Sequence, residues 1–333
     1  MAMAGDLGWV RSQGNPREIG RALGQAGRVA VQGRLVGTAI WDEVTGASHA
    51  PAVVRMAAAV QARFPLIWQE LEGLAEGLAL PVAQVFAWNC RGDLLAHAPD
   101  GCTTVMLPGA TPVIAHNEDG LPSLRGACFL AEVQPEAAPG FVSFCYPGSI
   151  PGHTFAVTKA GLVQAVNNIR LTGLVPDLPR MVLGRAVLGC ETLDAAVGLL
   201  RAAPSGAFHF ALSQCRDRRV LSVEFGDGAC SVVEISVPAA HANHALHLDH
   251  AGQIVTQSSA DRQARGEVLV SAGVGSLEIL RDAAGLGLPI RRDAPDDPDG
   301  ENTHATAVMT LRPEGVDWAI YDAAMGGPAY RSR

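Results

Sequence analysis

A change in the spacing of apolar residues at Gly101 constrains the fold of this chain most. Before it, residues 15–95 carry apolar side chains at helical intervals, and Asn15 followed by Pro16 is a favourable helix start. After it come short apolar runs bounded by turns, which are typical of strands, with further helices and a hairpin signal at Gly226-Asp227-Gly228. This order predicts an α+β fold with antiparallel sheets.

The Gly101–Cys102 bond at this boundary is a candidate site of self-cleavage. Cleavage would give Cys102 a free α-amine, whose ordinary pKa of roughly 7.7–8.0 lies near neutral pH. One residue would then carry both a nucleophile and its base. Glycine suits such a bond because it lacks a Cβ and leaves its carbonyl accessible. The alternative is a turn glycine followed by a buried structural cysteine.

Composition excludes several classes of function. The chain has 333 residues, of which 48% are hydrophobic, so it can bury a large core. Its net charge of −8 and its lack of Lys/Arg clusters argue against nucleic-acid binding. No apolar run reaches membrane-spanning length. The seven cysteines are widely spaced and the N-terminus lacks a signal-peptide pattern, which predicts a cytoplasmic protein with reduced thiols.

Four short segments, in order, resemble the acyl-coenzyme A:isopenicillin N acyltransferase family of N-terminal-nucleophile hydrolases. They are GNPREIG (14–20), ELEGLAEG (70–77), DGCTT (100–104) and HANH (241–244). The resemblance implies a four-layer αββα sandwich and self-cleavage between Gly101 and Cys102. It also implies that residues 1–101 and 102–333 become two chains of one integrated globular unit.

Asp119 follows a predicted strand in the segment His116-Asn117-Glu118-Asp119. The resemblance implies that its carboxylate orients the new amine of Cys102, whereas the alternative is an acidic turn. Strand alternation places Asn117 and Asp119 on one face, with His116 and Glu118 on the other. Some relatives in the wider superfamily have arginine where His116 stands, which makes His116 a candidate contact for the substrate.

Two asparagines are candidates for stabilising the oxyanion of acyl transfer. Asn243 is favoured, since one fixed amide donor contributes roughly 3–4 kcal/mol to such a reaction. Asn167 resembles the superfamily asparagine beside the nucleophile, although the pattern does not separate it from Asn168, and an Asn-Asn turn is the alternative. The spacing of the neighbouring histidines would not make four ligands converge, so we expect no metal site at positions 241, 244, 247 and 250.

Three further segments complete the sequence predictions. Tyr146, in Cys145-Tyr146-Pro147-Gly148, is expected to line an apolar pocket wall. Arg262 lies near a predicted helix start, where its guanidinium could bind a substrate carboxylate. The acidic, proline-rich stretch at 293–302 predicts an exposed loop.

The predicted function is hydrolysis of an amide bond in a small N-acyl or peptide-like molecule through a thioester on Cys102. No cofactor is required, and the expected partners are the substrate and the cleaved N-terminal chain. One alternative is acyl transfer from acyl-CoA or an amide donor to an amine, although few lysines are available for a CoA diphosphate. The others are a non-catalytic ligand-binding scaffold and an ordinary Cys–His thiol protease with an intact Gly101–Cys102 bond.

Overall fold

The computed structural model describes residues 6–98, 101–175, 177–202, 206–294 and 296–332. One strand precedes the N-terminal helices, and the sequence did not predict it. These first elements are β1 (Gly8–Gly14), α1 (Pro16–Arg34), α2 (Ala39–Val44), α3 (Ala50–Arg63), α4 (Pro65–Leu78), α5 (Val82–Asn89) and α6 (Arg91–Leu94). The predicted helix start is confirmed, because Asn15 and Glu18 form a reciprocal capping box around Pro16.

Helices α1 and α4 pack closely because glycines face each other where they cross. A Cβ on Gly20 would lie 1.9 Å from the Glu70 carbonyl oxygen, and a Cβ on Gly73 would lie 2.0 Å from that of Arg17. Any side chain at either position would therefore force the two helices apart. The glycines in the segments 14–20 and 70–77 thus have a packing role.

The rest of the chain is mostly strands, with four helices and a short 3₁₀ turn among them. The strands are β2 (Gly101–Leu107), β3 (Val113–Gly120), β4 (Phe129–Pro135), β5 (Phe141–Cys145), β6 (Ala156–Thr158), β7 (Leu162–Asn168), β8 (Ala207–Gln214), β9 (Val220–Gly226), β10 (Ala229–Glu234), β11 (Ala239–His241), β12 (Asn302–Arg312), β13 (Gly315–Tyr321) and β14 (Tyr330–Arg331). The helices are the 3₁₀ turn Pro122–Leu124, α7 (Arg180–Val187), α8 (Leu193–Ala202), α9 (Gln257–Ser271) and α10 (Ser276–Leu280).

The strands form two sheets, which confirms the α+β class. The larger sheet has the order β1-β4-β5-β6-β7-β8-β9-β10, and only its β1–β4 pair is parallel. The smaller sheet, β11-β2-β3-β12-β13-β14, is antiparallel throughout. The predicted hairpin at Gly226-Asp227-Gly228 is confirmed as the β9–β10 connection, and Asp227 and Gly228 have the positive φ angles that its turn requires.

The two sheets contact each other where β2 and β3 meet β7. Helices α9 and α10 contact the smaller sheet, α8 contacts β8–β10, and α1 contacts β1 and β4. One face of β2 and β3 therefore points towards the other sheet, and the opposite face points towards α9 and α10. Within the described ranges, no helix has the length and apolar character needed to cross a bilayer.

Candidate active site

Cys102 lies near the start of β2, and its side chain is buried. Its backbone N–H donates to Asn243 Oδ1 at 2.9 Å, and its carbonyl oxygen accepts from Arg262 Nη1 at 2.5 Å. Asn243 and Arg262 belong to segments that follow Cys102 by more than a hundred residues. Two distant side chains thus hold the main chain on both sides of the Cys102 Cα. Gly101 is the first residue of the strand, so the turn glycine of the alternative is wrong, while its buried cysteine near a strand start agrees with the structure.

Arg262 comes from α9 and is completely buried beneath the smaller sheet. Besides the Cys102 carbonyl, its guanidinium donates to Thr103 Oγ1 at 3.0 Å and to Asn243 Oδ1 at 2.6 Å. Burial lowers the pKa of Arg262, while the negative charge of Asp119 opposes that shift. Arg262 therefore joins the main chain of Cys102 to the Asn243 side chain, and its contact with a substrate carboxylate stays a prediction.

Asn243 is held in one orientation by three neighbours besides Arg262. Its backbone N–H donates to Ser259 Oγ at 2.8 Å, and its Nδ2 donates to the Asn168 carbonyl oxygen at 3.1 Å. Its Oδ1 faces the Cys102 nitrogen. Because these contacts fix both the main chain and the amide, Asn243 lies against the nitrogen that self-cleavage would release as an amine.

Asp119 lies opposite Gly101 in the β2–β3 pair. Its Oδ1 accepts from Thr303 Oγ1 at 2.6 Å, and it lies within β3, so the acidic-turn alternative is wrong. Burial raises the pKa of Asp119, while Arg262 and the Thr303 hydroxyl act in the opposite direction. The carboxylate is therefore buried in a charged environment beside the predicted cleavage site.

Glu301 is a neighbour of Gly101 that the sequence did not reveal. A Cβ on Gly101 would lie 2.1 Å from Glu301 Oε2 and 3.3 Å from the Cβ of Asp119, so a larger residue would have to displace the Glu301 carboxylate. Glu301 accepts from Arg292 Nη1 at 2.5 Å and from Arg170 Nη2 at 3.4 Å. Burial raises the pKa of Glu301 to about 7 in spite of these arginines.

The prediction that residues 293–302 form an exposed loop is therefore wrong for its last part. Glu301 and Asn302 are buried, and the Asp297 side chain is nearly inaccessible. The physical reason is Arg292, a fully buried side chain that forms ion pairs with Asp297 and Glu301. An acidic stretch with few apolar residues can thus be buried when an arginine neutralises it.

On the other face of β2, the Cys102 thiol faces a histidine and a carboxylate. Cys102 Sγ lies 4.0 Å from Glu118 Oε2, which lies 3.1 Å from His116 Nε2. Burial lowers the pKa of His116 to about 3, which keeps the imidazole neutral. Among the residues described, these three form the one group of His, Cys and acidic side chains whose donor atoms all lie within 4.8 Å.

Asn167 belongs to β7 and faces the same side of β2 as the Cys102 thiol. It contacts Thr104, two residues after Cys102. Its Oδ1 accepts from Thr104 Oγ1 at 2.6 Å and from His209 Nδ1 at 2.9 Å, and its Nδ2 donates to the His241 carbonyl at 3.1 Å. Asn168 instead contributes its main-chain carbonyl to Asn243. Both asparagines lie within β7, so the Asn-Asn turn alternative is wrong. Their roles in catalysis stay predictions.

Tyr146 directly follows β5, and its hydroxyl approaches the end of β3 so closely that a Cβ on Gly120 would be 2.4 Å from it. Its ring stacks on His153 and packs edge-on against His304, with centroids 5.9 and 5.7 Å apart. The tyrosine is buried. The structure thus places it near the strand that carries Asp119, and its contact with a substrate stays a prediction.

His241, at the end of β11, and the three histidines after it have mostly different side-chain partners, although His247 Nδ1 also lies 3.5 Å from Glu224 Oε2. Glu224 Oε1 pairs with His241 Nε2 at 2.8 Å, and the Glu224 carboxylate also accepts the main-chain N–H groups of residues 246–248. The other three pair with different side chains: His244 with Ser259, His247 with Ser222 and Ser231, and His250 with Asp227. This network shapes the loop that presents Asn243 to Cys102.

The fold and this arrangement define the class: an enzyme of amide-bond chemistry, with a cysteine between two sheets and its main chain held by polar side chains. The model of the acyl-coenzyme A:6-aminopenicillanic acid acyl-transferase family matches residues 106–322. The chain belongs to this family, whose members act on amide bonds. The matched region contains Asp119, Asn243 and Arg262 and begins just after Cys102.

One curated protein gives a more distant match. The beta-alanyl-dopamine/carcinine hydrolase of Drosophila melanogaster is 28% identical over 169 residues. The aligned part covers 44% of this chain and 44% of that protein, so the chain spans less than half the length of this relative.

Proposed function

We propose that the protein is an autoproteolytic amidohydrolase whose nucleophile is the N-terminal cysteine that it creates at position 102. The observation that carries this proposal is the convergence of Asn243, Arg262 and Asp119 on the main chain around the Gly101–Cys102 bond. A structural cysteine would need no buried arginine and asparagine on its own backbone. The facing sheets, with helices on their outer sides, support the four-layer αββα sandwich as the finer description of the fold.

Self-cleavage begins when the Cys102 thiolate attacks the Gly101 carbonyl carbon. A carbon–sulfur bond forms, the carbon–nitrogen bond breaks, and the Cys102 nitrogen takes up a proton to become an amine. Water then hydrolyses the thioester, which leaves a carboxylate on Gly101 and a thiol on Cys102. The lack of space for a Cβ at Gly101 supports this site, because the attacked residue must fit against Glu301.

In the mature enzyme, the Cys102 amine takes the thiol proton and later returns it to the leaving amine of the substrate. Asp119 lies where its carboxylate can orient that amine, since it pairs with Gly101 across the hairpin. Asn243 is the proposed oxyanion donor through its Nδ2, which in this structure donates to the Asn168 carbonyl oxygen, while its Oδ1 accepts from the Cys102 nitrogen. Asn167, which contacts Thr104, acts one step further from the nucleophile. Hydrolysis by these groups requires no cofactor.

The two chains produced by cleavage are expected to remain together. Strand β1 belongs to residues 1–101 and forms one edge of the larger sheet. It is hydrogen-bonded to β4 along its whole length. Helices α1 and α4 contribute buried apolar side chains to a core shared with both sheets. Separation would expose this surface, so we propose one integrated unit made of the chains 1–101 and 102–333.

The proposed substrate is an amide that joins a small acyl group to a small amine. The name of the Drosophila melanogaster relative supports hydrolysis and places β-alanyl amides first among the compounds to test. The family name supports the alternative, acyl transfer to an amine. No disulfide joins any of the seven cysteines, all of which lie in the described ranges, and this supports the cytoplasm as the proposed location.

Intact-mass analysis of the purified protein tests the proposal. We expect two chains, residues 1–101 and 102–333, with Cys102 as the first residue of the second. The Cys102→Ala variant should remain a single chain and hydrolyse no amide. A wild-type protein that stays whole while active would instead indicate a Cys–His thiol protease. A scaffold would instead turn over no amide as wild type and would lose no function in Cys102→Ala.

A substrate panel separates hydrolysis from transfer. The cleaved enzyme is given β-alanyl and other N-acyl amines, first in water alone and then with acyl-CoA and an acceptor amine. Release of free acid without added acceptor supports hydrolysis. Product that forms only with the acyl donor and acceptor together would establish acyl transfer.

A further inference from the structure

We propose that Glu118 is the base that takes the Cys102 thiol proton during self-cleavage. This inference rests on the proposed function and addresses a step that the mature site leaves unexplained. Before cleavage, the Cys102 nitrogen belongs to a peptide bond, and an amide nitrogen has no basic lone pair. The uncleaved chain therefore needs a different proton acceptor from the one that it uses afterwards.

The geometry of the β2–β3 hairpin provides that acceptor. Glu118 is the direct cross-strand partner of Cys102, and both side chains lie on the face that points towards the larger sheet. The separation of 4.0 Å between Glu118 Oε2 and Cys102 Sγ is within reach of a sulfur hydrogen bond. Asp119 points to the opposite face, where it bonds Thr303, so the two carboxylates are separated by the strand itself.

His116 positions the Glu118 carboxylate. Its Nε2 lies 3.1 Å from Glu118 Oε2, and its Nδ1 lies 2.8 Å from Thr104 Oγ1, which in turn contacts Asn167. All of these groups are buried, so the chain of hydrogen bonds fixes the ring and through it the carboxylate. A ring nitrogen of His116 also lies within 4.8 Å of Cys102 Sγ, and we assign the imidazole to positioning Glu118.

The proton transfers balance without any further reactant. The Glu118 carboxylate removes the thiol proton, and the thiolate adds to the Gly101 carbonyl carbon. As the carbon–nitrogen bond breaks, the protonated Glu118 returns that proton to the Cys102 nitrogen, so the carboxylate is regenerated. Adjacent residues of β3 thus have different roles: Glu118 is the base before cleavage, and Asp119 orients the amine that cleavage produces.

The Glu118→Gln variant tests this assignment, because glutamine keeps the shape and loses the base. The full-length chain is made by cell-free synthesis, and the fraction cleaved is followed over time by electrophoresis. We expect self-cleavage to slow about 100-fold, in the range typical of a lost general base. Glu132→Gln is the matched control: Glu132 lies on β4 and bonds Trp9 and Arg11 at the surface, so its cleavage rate should equal that of the wild type.

Three further measurements make the test specific. Glu118→Asp keeps a carboxylate at a longer distance, so its rate should lie between those of the wild type and Glu118→Gln. His116→Gln, which retains an amide near the Nε2 position, should cleave faster than His116→Ala. Cleavage in the presence of EDTA should be unchanged, whereas a rate that depends on a metal ion bound to Cys102, His116 and Glu118 would overturn the proposal.

The assignment can fail while the proposed function stands. If the wild type cleaves and Glu118→Gln cleaves equally fast, Glu118 is not the base. If hydroxylamine, which attacks thioesters, restores cleavage of Glu118→Gln, the block lies in thioester hydrolysis and the assignment is also wrong. A wild-type chain that never cleaves, or a Cys102→Ala chain that does, overturns the proposed function instead.

Discussion

The carboxylates on the two faces of strand β3 have different electrostatic surroundings. The face towards the larger sheet holds Glu118 and His116, and its contacts include the uncharged side chains of Thr104 and Asn167. The face towards α9 holds Asp119, which lies in the field of several arginines. Only the strand and its partner β2 separate the two environments.

This difference shows how the Gly101–Cys102 bond can be contacted by different kinds of groups on the two faces of its strand. The face with Glu118 lies against the thiol and relies on hydrogen bonds, because burial keeps His116 neutral. The face with Asp119 lies against the main chain and contains buried charges, of which Arg262 holds the Cys102 carbonyl by a hydrogen bond. A change on the ionic face should therefore affect stability most, and a change on the hydrogen-bonded face should affect it less.

Removal of the Arg262 charge should have the largest effect on stability. The Arg262→Met variant keeps much of the volume but removes the donor to the Cys102 carbonyl and leaves Asp119 with only the charges of Arg291 and Arg292. We expect the free energy of unfolding to fall by about 3–5 kcal/mol, as is typical when one partner of a buried ionic network is lost. Denaturant unfolding monitored by circular dichroism measures this. The exposed Arg11, which pairs with Glu132 at the surface, gives the control variant Arg11→Met, for which little change is expected.

Loss of the Asn243 amide should raise the activation free energy of catalysis by nearly as much as Arg262→Met lowers the free energy of unfolding. In Asn243→Ala, the Cys102 nitrogen loses its acceptor and the substrate loses the proposed oxyanion donor. We expect kcat for amide hydrolysis to fall about 10²–10³-fold, with a smaller change in KM. Steady-state kinetics of cleaved enzyme, normalised to titrated thiol, measure this. An unchanged kcat would assign the oxyanion to another donor.

Titration of Glu301 should make stability depend on pH. Its pKa is raised from 4.5 to about 7, so between these values the folded state binds more protons than the unfolded state. Stability should therefore decrease as pH rises from about 5 to 7, by on the order of 3 kcal/mol in total. Four charged side chains face the carboxylate: Arg170, Arg292, Arg262 and Asp119. Denaturant unfolding across this pH range should show the decrease in the wild type and not in Glu301→Gln.

A change on the hydrogen-bonded face should have the smallest effect of the four. Asn167→Ala leaves Thr104 and His209 without the oxygen that both contact. We expect a loss of about 1–3 kcal/mol in stability, because buried polar groups would be left unsatisfied. Calorimetric unfolding measures the loss. A destabilisation as large as that of Arg262→Met would remove the contrast between the two faces.

Much of the architecture followed from local patterns. The helix start at Asn15, the hairpin at Gly226-Asp227-Gly228 and the change of period at Gly101 all depend on near neighbours in the chain. Strand β1 was missed because its place is set by pairing with β4, more than a hundred residues away. Spacing within a segment carries no information about such a partner.

The site was predicted to a different degree on its two faces. Alternation correctly separated Asp119 from Glu118, since residues in a strand point to opposite faces in turn. Glu301 and Arg292 were missed, because their segment has the composition of an exposed loop and its burial depends on ion pairs within the segment and with the distant Arg170. Arg262 was considered as a ligand for substrate, whereas the fold directs its guanidinium to the main chain of Cys102.

The β1–β4 pairing has a consequence for how the protein would survive denaturation. Once the Gly101–Cys102 bond is cut, β1 and its partner strand belong to different molecules, and no linker returns them to each other. Recovery from full unfolding would then follow second-order kinetics and become slower on dilution. The uncut precursor would recover at a rate independent of its concentration. The protein would therefore fold efficiently as the uncut precursor, and the two separated chains would refold inefficiently after cleavage.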